Sequence, residues 1–283
     1  MVQVDLITGF LGSGKTTFMR HYARYMVQQG WNVCILENDF GAVNVDVMLL
    51  QDILGDHCDM ESISGGCDCD THQRRMRTKL ISLAMQGFDR VIIEPSGIFD
   101  VDEFFDILHD EPLDKWYRMG NVIAIVDAKQ EQQLSPQSAY LLASETANAG
   151  MVVLSRSQLA KPGQCEAAVT PQDLAAVAAC GSKQASYEKM HFDQHDVFSS
   201  LYFIDRHLPL PRLKEVVNEL FANASCGRIM RIKGFTSDGN GWLELNASRD
   251  AMTLKPIAKA QEVIIVIGEQ LNRAAIETHW KEV

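Results

Sequence analysis

The stretch GFLGSGKT, Gly9 to Thr16, constrains this chain more than any other. It fits G-x-x-x-x-G-K-[ST], and each position has a physical task. Glycines let backbone N–H groups curl around phosphate oxygens, the lysine neutralises the β- and γ-phosphates, and the hydroxyl beside it can bind Mg²⁺. The flanks agree. VQVDLITG before it is a short apolar run, and TTFMRHYARYMVQQG after it carries Phe18, Met19, Tyr22 and Met26 at helical spacing until Gly30 ends the pattern. Strand, loop and helix in that order aim a helix N-terminus at the bound anion. A glycine-rich turn with a solvated lysine would share the motif but not this setting. Gly12, Ser13, Gly14, Lys15, Thr16 and Thr17 are therefore the expected nucleotide contacts, with Thr16 also a ligand of Mg²⁺.

Further apolar runs recur at NVCIL (32–36), RVIIE (90–94), NVIAIVDA (121–128) and MVVLS (151–155), with helical stretches such as RRMRTKLISLAMQG and DEFFDILHD between them. Strands alternating with helices predict an α/β fold, a mostly parallel sheet of the P-loop NTPase kind covered by helices. TPQDLAAVAACG predicts one more covering helix, with Thr170 as N-cap, Pro171 at the first helical position and Gly181 as the stop. The character then changes. Residues 1–183 read as the nucleotide-binding domain, the polar, non-periodic 184–199 as a linker, and 200–283 as a small C-terminal α+β domain. The last would hold a helix around LPRLKEVVNELFANA and strands RIMRIKGF, GWLELN and EVIIVIG, with SDGNG turning between the first two strands.

Composition excludes some partners. A formal charge of −11 opposes a broad electrostatic grip on nucleic acid or an anionic membrane. No apolar run approaches the roughly 18 residues of a membrane helix, and no signal-peptide pattern precedes the first strand, so a cytoplasmic protein is expected. Seven cysteines in such a compartment are buried hydrophobes or metal ligands rather than disulfides.

Three segments add chemistry. EPSG, Glu94 to Gly97, leaves a strand at the carboxyl edge where ligands of such sheets collect. Glu94 there can order the Mg²⁺ water shell or a nucleophilic water, and Gly97 can bring a backbone N–H to a γ-phosphate. ENDFGAVNVD, from Glu37 to Asp46, leaves another strand at the same edge and offers Glu37, Asp39 and Asp46 for metal contact and nucleotide sensing, although a solvated acidic loop would look similar. ISGGCDCDTHQRR sets Cys67, Cys69, Asp70 and His72 close together. Two thiolates with a carboxylate or an imidazole complete a four-coordinate zinc site. Asp70 can equally cap the helix that follows, with Gln73 reaching back as in a capping box. His191 and His195, in the linker, are a further pair that is either solvated or an auxiliary metal site.

In that order GFLGSGKTT, ENDFGAVNVD, SGGCDCD, EPSG and the C-terminal RIMRIKGF to VIIVIG stretch resemble the CobW-type metal-handling P-loop GTPases, relatives of UreG and HypB, over nearly the whole chain. The resemblance implies a GTPase whose nucleotide state is coupled to a metal held in a Cys-x-Cys-Cys motif. It implies GTP or GDP with Mg²⁺, a cargo of Zn²⁺, Co²⁺ or Fe²⁺, a client metalloenzyme, and a homodimer as one available state. Carried over, Lys15, Thr16, Asp39 and Glu94 are the catalytic set, and Thr16, Glu37, Cys67, Cys69 and Asp70 the metal-binding set. Two motifs depart from the pattern. Asp70 stands where the family has its third cysteine, which makes the site harder and more labile. Ser155, Arg156, Ser157 and Gln158 replace the guanine-reading [NST]-K-x-D. Arg156 could stack on the base and Gln158 offers one acceptor, but its NH₂ meets a guanine donor, so guanine preference weakens and ATP becomes possible. Ala42 and Asn44 depart as well and point to slow hydrolysis. A metal or nucleotide sensor with lapsed hydrolysis is the alternative. A small-molecule kinase would need an arginine-rich lid, and the chain between the third and fifth strands is poor in arginine.

Overall fold

The computed structural model describes residues 1–10, 12–39, 49–64, 69–95, 101–128, 134–156, 174–183, 198–204, 206–249 and 251–280, with backbone alone at 38, 39, 64, 69–72, 102 and 103. These residues form two compact units, one up to Lys183 and one from Phe198 onward.

The first unit runs β1 (Val2–Thr8), α1 (Lys15–Gln28), β2 (Val33–Asp39), β3 (Cys58–Ser64), α2 (Cys69–Ala84), β4 (Arg90–Glu94), α3 (Val101–His109), α4 (Leu113–Trp116), β5 (Tyr117–Asp127), α5 (Pro136–Ala147), β6 (Met151–Ser155) and α6 (Leu174–Val177). The strands make a wholly parallel sheet in the order β3-β2-β4-β1-β5-β6. A parallel sheet is buried on both faces, which is why its central strands read as unbroken apolar runs. Val4, Leu6, Val122 and Ala124 face one core layer with Met76, Leu80 and Phe104. Ile7, Ile123 and Ile125 face the other with Phe18, Met19, Tyr22 and Met26 of α1. The helical stripe read from α1 is thus the face it buries.

One polar knot lies inside this core. Asp5, in the middle of β1, is fully buried and pairs with Arg90 of β4 at 2.6 Å. It also accepts from the Tyr22 hydroxyl at 2.9 Å and from the Asn121 backbone and side-chain amides at 2.8 and 3.1 Å. Asn121 in turn donates to the Ala178 carbonyl at 2.9 Å and accepts from the Gly181 N–H at 2.8 Å. Four elements and the end of the first unit are pinned through one carboxylate, and burial beside it drives the Tyr22 hydroxyl pKa far above its ordinary value.

The second unit comprises β7 (Phe198–Ile204), α7 (Leu210–Ala222), β8 (Arg228–Ser237), β9 (Trp242–Ser248), β10 (Ala251–Ile257), β11 (Val263–Glu269) and α8 (Arg273–His279). Its sheet is antiparallel, in the order β10-β9-β8-β11-β7. Leu213, Val216, Val217 and Leu220 of α7 recur at helical spacing and pack with Ile232, Ile264, Val266 and Ile276.

Three strands lie outside the apolar runs read from the sequence: β3, β7 and β10. β3 and β10 are edge strands, where one flank meets no neighbour and polar residues are tolerated. β10 even carries Pro256, an edge-compatible residue. Of the helix expected between Thr170 and Gly181, the described residues contain Leu174–Val177; Thr170 and Pro171 lie outside them. Among the described residues no helix is long and apolar enough to cross a membrane.

Candidate functional site

The P-loop follows β1 at the carboxyl edge of the parallel sheet. Gly9 has φ +142°, and a Cβ there would lie 2.3 Å from the Ile125 carbonyl oxygen of β5. Only glycine lets the chain turn so close to its neighbouring strand. Gly14, at φ +100°, is the left-handed N-cap of α1, so the helix opens on backbone N–H groups directed at the loop's interior. Lys15 is buried, and its ammonium donates to the Gly9 and Phe10 carbonyls at 2.7 and 3.4 Å. Ser13 is also buried, whereas Thr17 is exposed.

Two carboxylates stand beside the loop. Glu37 and Glu94 are register partners on adjacent strands β2 and β4, and both are buried. In-register neighbours of a parallel pair leave the sheet on the same face. Thr16 Oγ1 donates to Glu94 Oε1 at 3.4 Å, so the hydroxyl and the acid expected around Mg²⁺ do meet. A hydroxyl and two carboxylates form an all-oxygen set that suits a hard divalent cation.

The last residue of β6 and the one after it tie down the loop. Ser155 Oγ donates to the Ser13 carbonyl at 2.5 Å. Arg156, in the left-handed region at φ +54°, pairs with Asp127 at the end of β5 and donates to the Gly12 carbonyl at 2.7 Å. Its guanidinium thus serves as a strut between two strands and the P-loop. Asp127 was not singled out in the sequence, although its place at the end of the apolar run NVIAIVDA signals a sheet-edge acid.

Glu145 was missed as well. It lies in α5 at 1% exposure, and neither oxygen has a hydrogen bond of good geometry among the described residues. Burial pushes its pKa up, to about 8, against the opposing pull of the Lys15 charge and the Gly9 N–H. No motif marks it: α5 buries it beside Ser138, Leu141 and Ser144, a face too polar to read as a core stripe.

The remaining expected residues divide by position. Asp39 ends β2, Cys69 and Asp70 open α2, and only their backbone is described. Gly97, Cys67 and Gln158 lie outside the described residues, as do Ala42, Asn44, Asp46, Ser157, His191 and His195. Among the described residues no group of three or more His, Cys, Asp or Glu side chains is arranged to hold a metal. Cys34, Cys58 and Cys226 are buried, and burial raises the thiol pKa of Cys34 to about 12 and of Cys58 to about 11. These are inert core residues.

A six-stranded parallel sheet, a glycine-rich loop opening a helix, and a buried acid on its threonine define a P-loop nucleotide-binding protein. Comparison fixes the family. Residues 3–179 match the CobW/HypB/UreG nucleotide-binding domain, and residues 197–283 match the C-terminal domain of the cobalamin synthesis protein cobW. The chain belongs to this family. It is 31% identical over 170 residues to the zinc chaperone YjiA of Escherichia coli K12, covering 56% of this chain and 50% of the relative. It is 31% identical over 164 residues to the zinc chaperone YeiR of the same organism, covering 57% and 48%. The zinc-regulated GTPase metalloprotein activator 1 of Schizosaccharomyces pombe is 24% identical over 164 residues, covering 56% and 39%. The chain spans half or less of the length of these curated relatives.

Proposed function

We propose that this protein is a GTP-hydrolysing metallochaperone that captures a transition metal at Cys67, Cys69 and Asp70 and releases it to a client metalloenzyme as its nucleotide state changes. The observation that carries the reading is one of placement. β3 ends at Ser64, the register partner of Asp39, and α2 opens at Cys69. The cysteine segment therefore leaves the same sheet edge as the P-loop, beside the strand that bears Glu37 and Asp39. A change in this edge on nucleotide binding would reach the thiolates through one strand neighbour. The zinc chaperones among its relatives support zinc as the cargo, with cobalt or iron as other candidates.

In this reading the Lys15 ammonium turns from the Gly9 and Phe10 carbonyls to the β- and γ-phosphates, and Gly12, Ser13, Gly14, Thr17 and Gly97 supply backbone contacts. Thr16, Glu37 and Glu94 would hold Mg²⁺, which neutralises phosphate charge when bound. Asp39 and Glu94 orient the attacking water. Ser155, Arg156 and Gln158 flank the base. Residues 1–183 carry the chemistry, and 200–283 contribute partner contacts, including any to a second copy.

A second reading, nucleotide binding with little turnover, is favoured by one observation: Arg156, in place of the guanine-side lysine, is committed to Asp127 and Gly12. Competition of GTP and ATP against a fluorescent guanine nucleotide, with and without zinc, tests both. GTP preferred by about 100-fold, near 2.7 kcal/mol, with a zinc-dependent shift supports the metallochaperone. Equal competition without a zinc effect sinks the coupling. Lys15→Ala should abolish nucleotide binding and spare metal stoichiometry, and Cys67→Ser should do the reverse.

A further inference from the structure

A cavity of about 300 Å³ opens at the amino edge of the parallel sheet, where β1, β4 and β5 begin, and the nucleotide chemistry at the carboxyl edge makes no use of it. Its floor is a row of side chains across three strands. Arg90 of β4 and Arg118 of β5 are both register partners of Gln3 in β1, so guanidinium, amide and guanidinium leave the sheet on one face. Contacts fix this row. Gln3 Nε2 donates to Asp5 Oδ1 at 3.3 Å, Gln3 Oε1 accepts from Arg118 Nη2 at 3.0 Å, and Arg90 pairs with Asp5 at 2.6 Å. Asp5 thus neutralises Arg90. Arg118 has no such counter-charge: it is exposed, it donates to a neutral amide oxygen, and no carboxylate among the described residues pairs with it.

The wall beside the row is apolar. Met1 and Trp31 are two of the six large apolar side chains exposed among the described residues, and both line this cavity together with Phe88. The Arg90 guanidinium lies 5.4 Å from the centre of the Trp31 ring, a cation–π contact that orients the indole. Backbone bonds hold the same corner. The Asn32 carbonyl accepts from the Asp89 and Arg90 N–H groups at 2.9 and 3.2 Å. Asp89, the other acid at the cavity, takes the Asn32 N–H at 2.9 Å. The corner is therefore formed before any ligand arrives.

We propose that this cavity binds a small aromatic carboxylate, whose acid group takes the open donors of Arg118 and whose ring lies against Trp31, Phe88 and Met1. A guanidinium fork matches a carboxylate with two parallel N–H···O bonds, and an aromatic wall gives a flat ring more contact than an aliphatic acid would find. Size narrows the class. A volume of about 300 Å³ stands at the lower end for ligand pockets and suits a single-ring acid better than a nucleotide.

This site is independent of nucleotide binding, and benzoate is the probe for it. Benzoate is titrated into the whole chain by calorimetry and by ¹H–¹⁵N spectra of its four tryptophan indoles, with the Trp31 signal assigned by its loss in Trp31→Phe. It should bind with a dissociation constant of about 1 mM or tighter and shift the Trp31 signal most. Benzamide keeps the ring without the charge and acetate keeps the charge without the ring; each should bind at least about 10-fold more weakly. Arg118→Gln should weaken benzoate by about 10-fold, and Arg118→Lys should recover only part of the loss. Saturating Mg²⁺–GDP should leave benzoate affinity within about 2-fold. Equal affinity for benzoate and benzamide, tighter binding of benzylamine, unchanged affinity in Arg118→Gln, displacement by Mg²⁺–GDP, or no binding at about 20 mM benzoate would each overturn the proposal. If Arg118→Gln does not fold, the comparison of benzoate with benzamide and acetate on the native protein decides alone.

Discussion

Replacing Asp5 by alanine should be among the most damaging single changes in the nucleotide-binding unit, and its cost can be worked from the contacts it removes. The carboxylate is fully buried and its partner Arg90 is 11% exposed at the side chain, so deletion leaves a guanidinium charge with little water to receive it. Breaking a buried pair from one side costs about 3–5 kcal/mol. The Tyr22 hydroxyl and the Asn121 amides also lose an acceptor. Each buried donor left without a partner costs about 1–3 kcal/mol, part of which water entering the vacated space returns. A net loss of about 4 kcal/mol is expected. At 2–4 °C per kcal/mol for a unit of this size, the melting temperature should fall by roughly 8–16 °C. Asp5→Asn keeps an acceptor for the Asn121 backbone and should cost about half as much. Urea unfolding followed by far-ultraviolet circular dichroism measures these costs, and the Asp5→Asn/Arg90→Met pair should cost clearly less than the sum of its single changes. A loss below about 1 kcal/mol for Asp5→Ala would mean that the knot is solvated, and the reasoning would fail.

Other outcomes follow from the loop itself. Gly9→Ala should weaken nucleotide binding by at least about 10-fold, since its Cβ would strike the Ile125 carbonyl, whereas Gly30→Ala, with open space around it, should cost about 1 kcal/mol of stability and leave binding unchanged. Equilibrium dialysis with labelled GDP separates the two. Thr16→Ala should make nucleotide affinity insensitive to EDTA while the native protein responds to it; a persisting EDTA effect would place Mg²⁺ on other ligands. Arg156→Ala should raise the dissociation constant for GDP and ADP alike by about 10-fold through a loosened loop, and Arg156→Lys should restore little of it, because a point charge cannot span Asp127 and the Gly12 carbonyl together.

Much of this was legible in the sequence because its physics is local. The P-loop, the helical stripe of α1 and the runs at 90–94 and 121–128 each carry their signal within a dozen residues, and a parallel sheet buried on both faces makes its central strands unbroken apolar runs. β3 and β10 carry no such signal, because an edge strand has one neighbour and tolerates Asp59, Glu61 or Pro256. Asp5 and Glu145 were illegible for a different reason. Each is an acid whose burial only the fold reveals: Asp5 through its contact across 85 residues to Arg90, and Glu145 through the packing of α5. The pairing of Glu37 with Glu94 likewise depends on β2 and β4 being neighbours, a matter of strand order rather than of sequence proximity.

The substitution in the segment proposed to flank the base changes meaning once its contacts are seen. Read from the sequence, Arg156 could still stack on the base in place of the family's lysine, and the weakened guanine preference comes from Gln158. Arginine presents a planar fork of donors, and here that fork joins the acid ending β5 to a carbonyl of the P-loop. The neighbouring Ser155 hydroxyl ties the same loop through the Ser13 carbonyl. Two side chains of the segment are thus turned toward the phosphate cradle rather than outward. Such a strut stiffens the cradle before any ligand arrives, and a stiffer cradle binds the phosphates of every nucleotide better to the same degree. Affinity that comes from the phosphates does not discriminate between bases, so loss of guanine preference and retention of tight binding are compatible in this chain. The comparison of GDP with ADP in Arg156→Ala reports on the strut, and the competition of GTP with ATP in the native protein reports on the base.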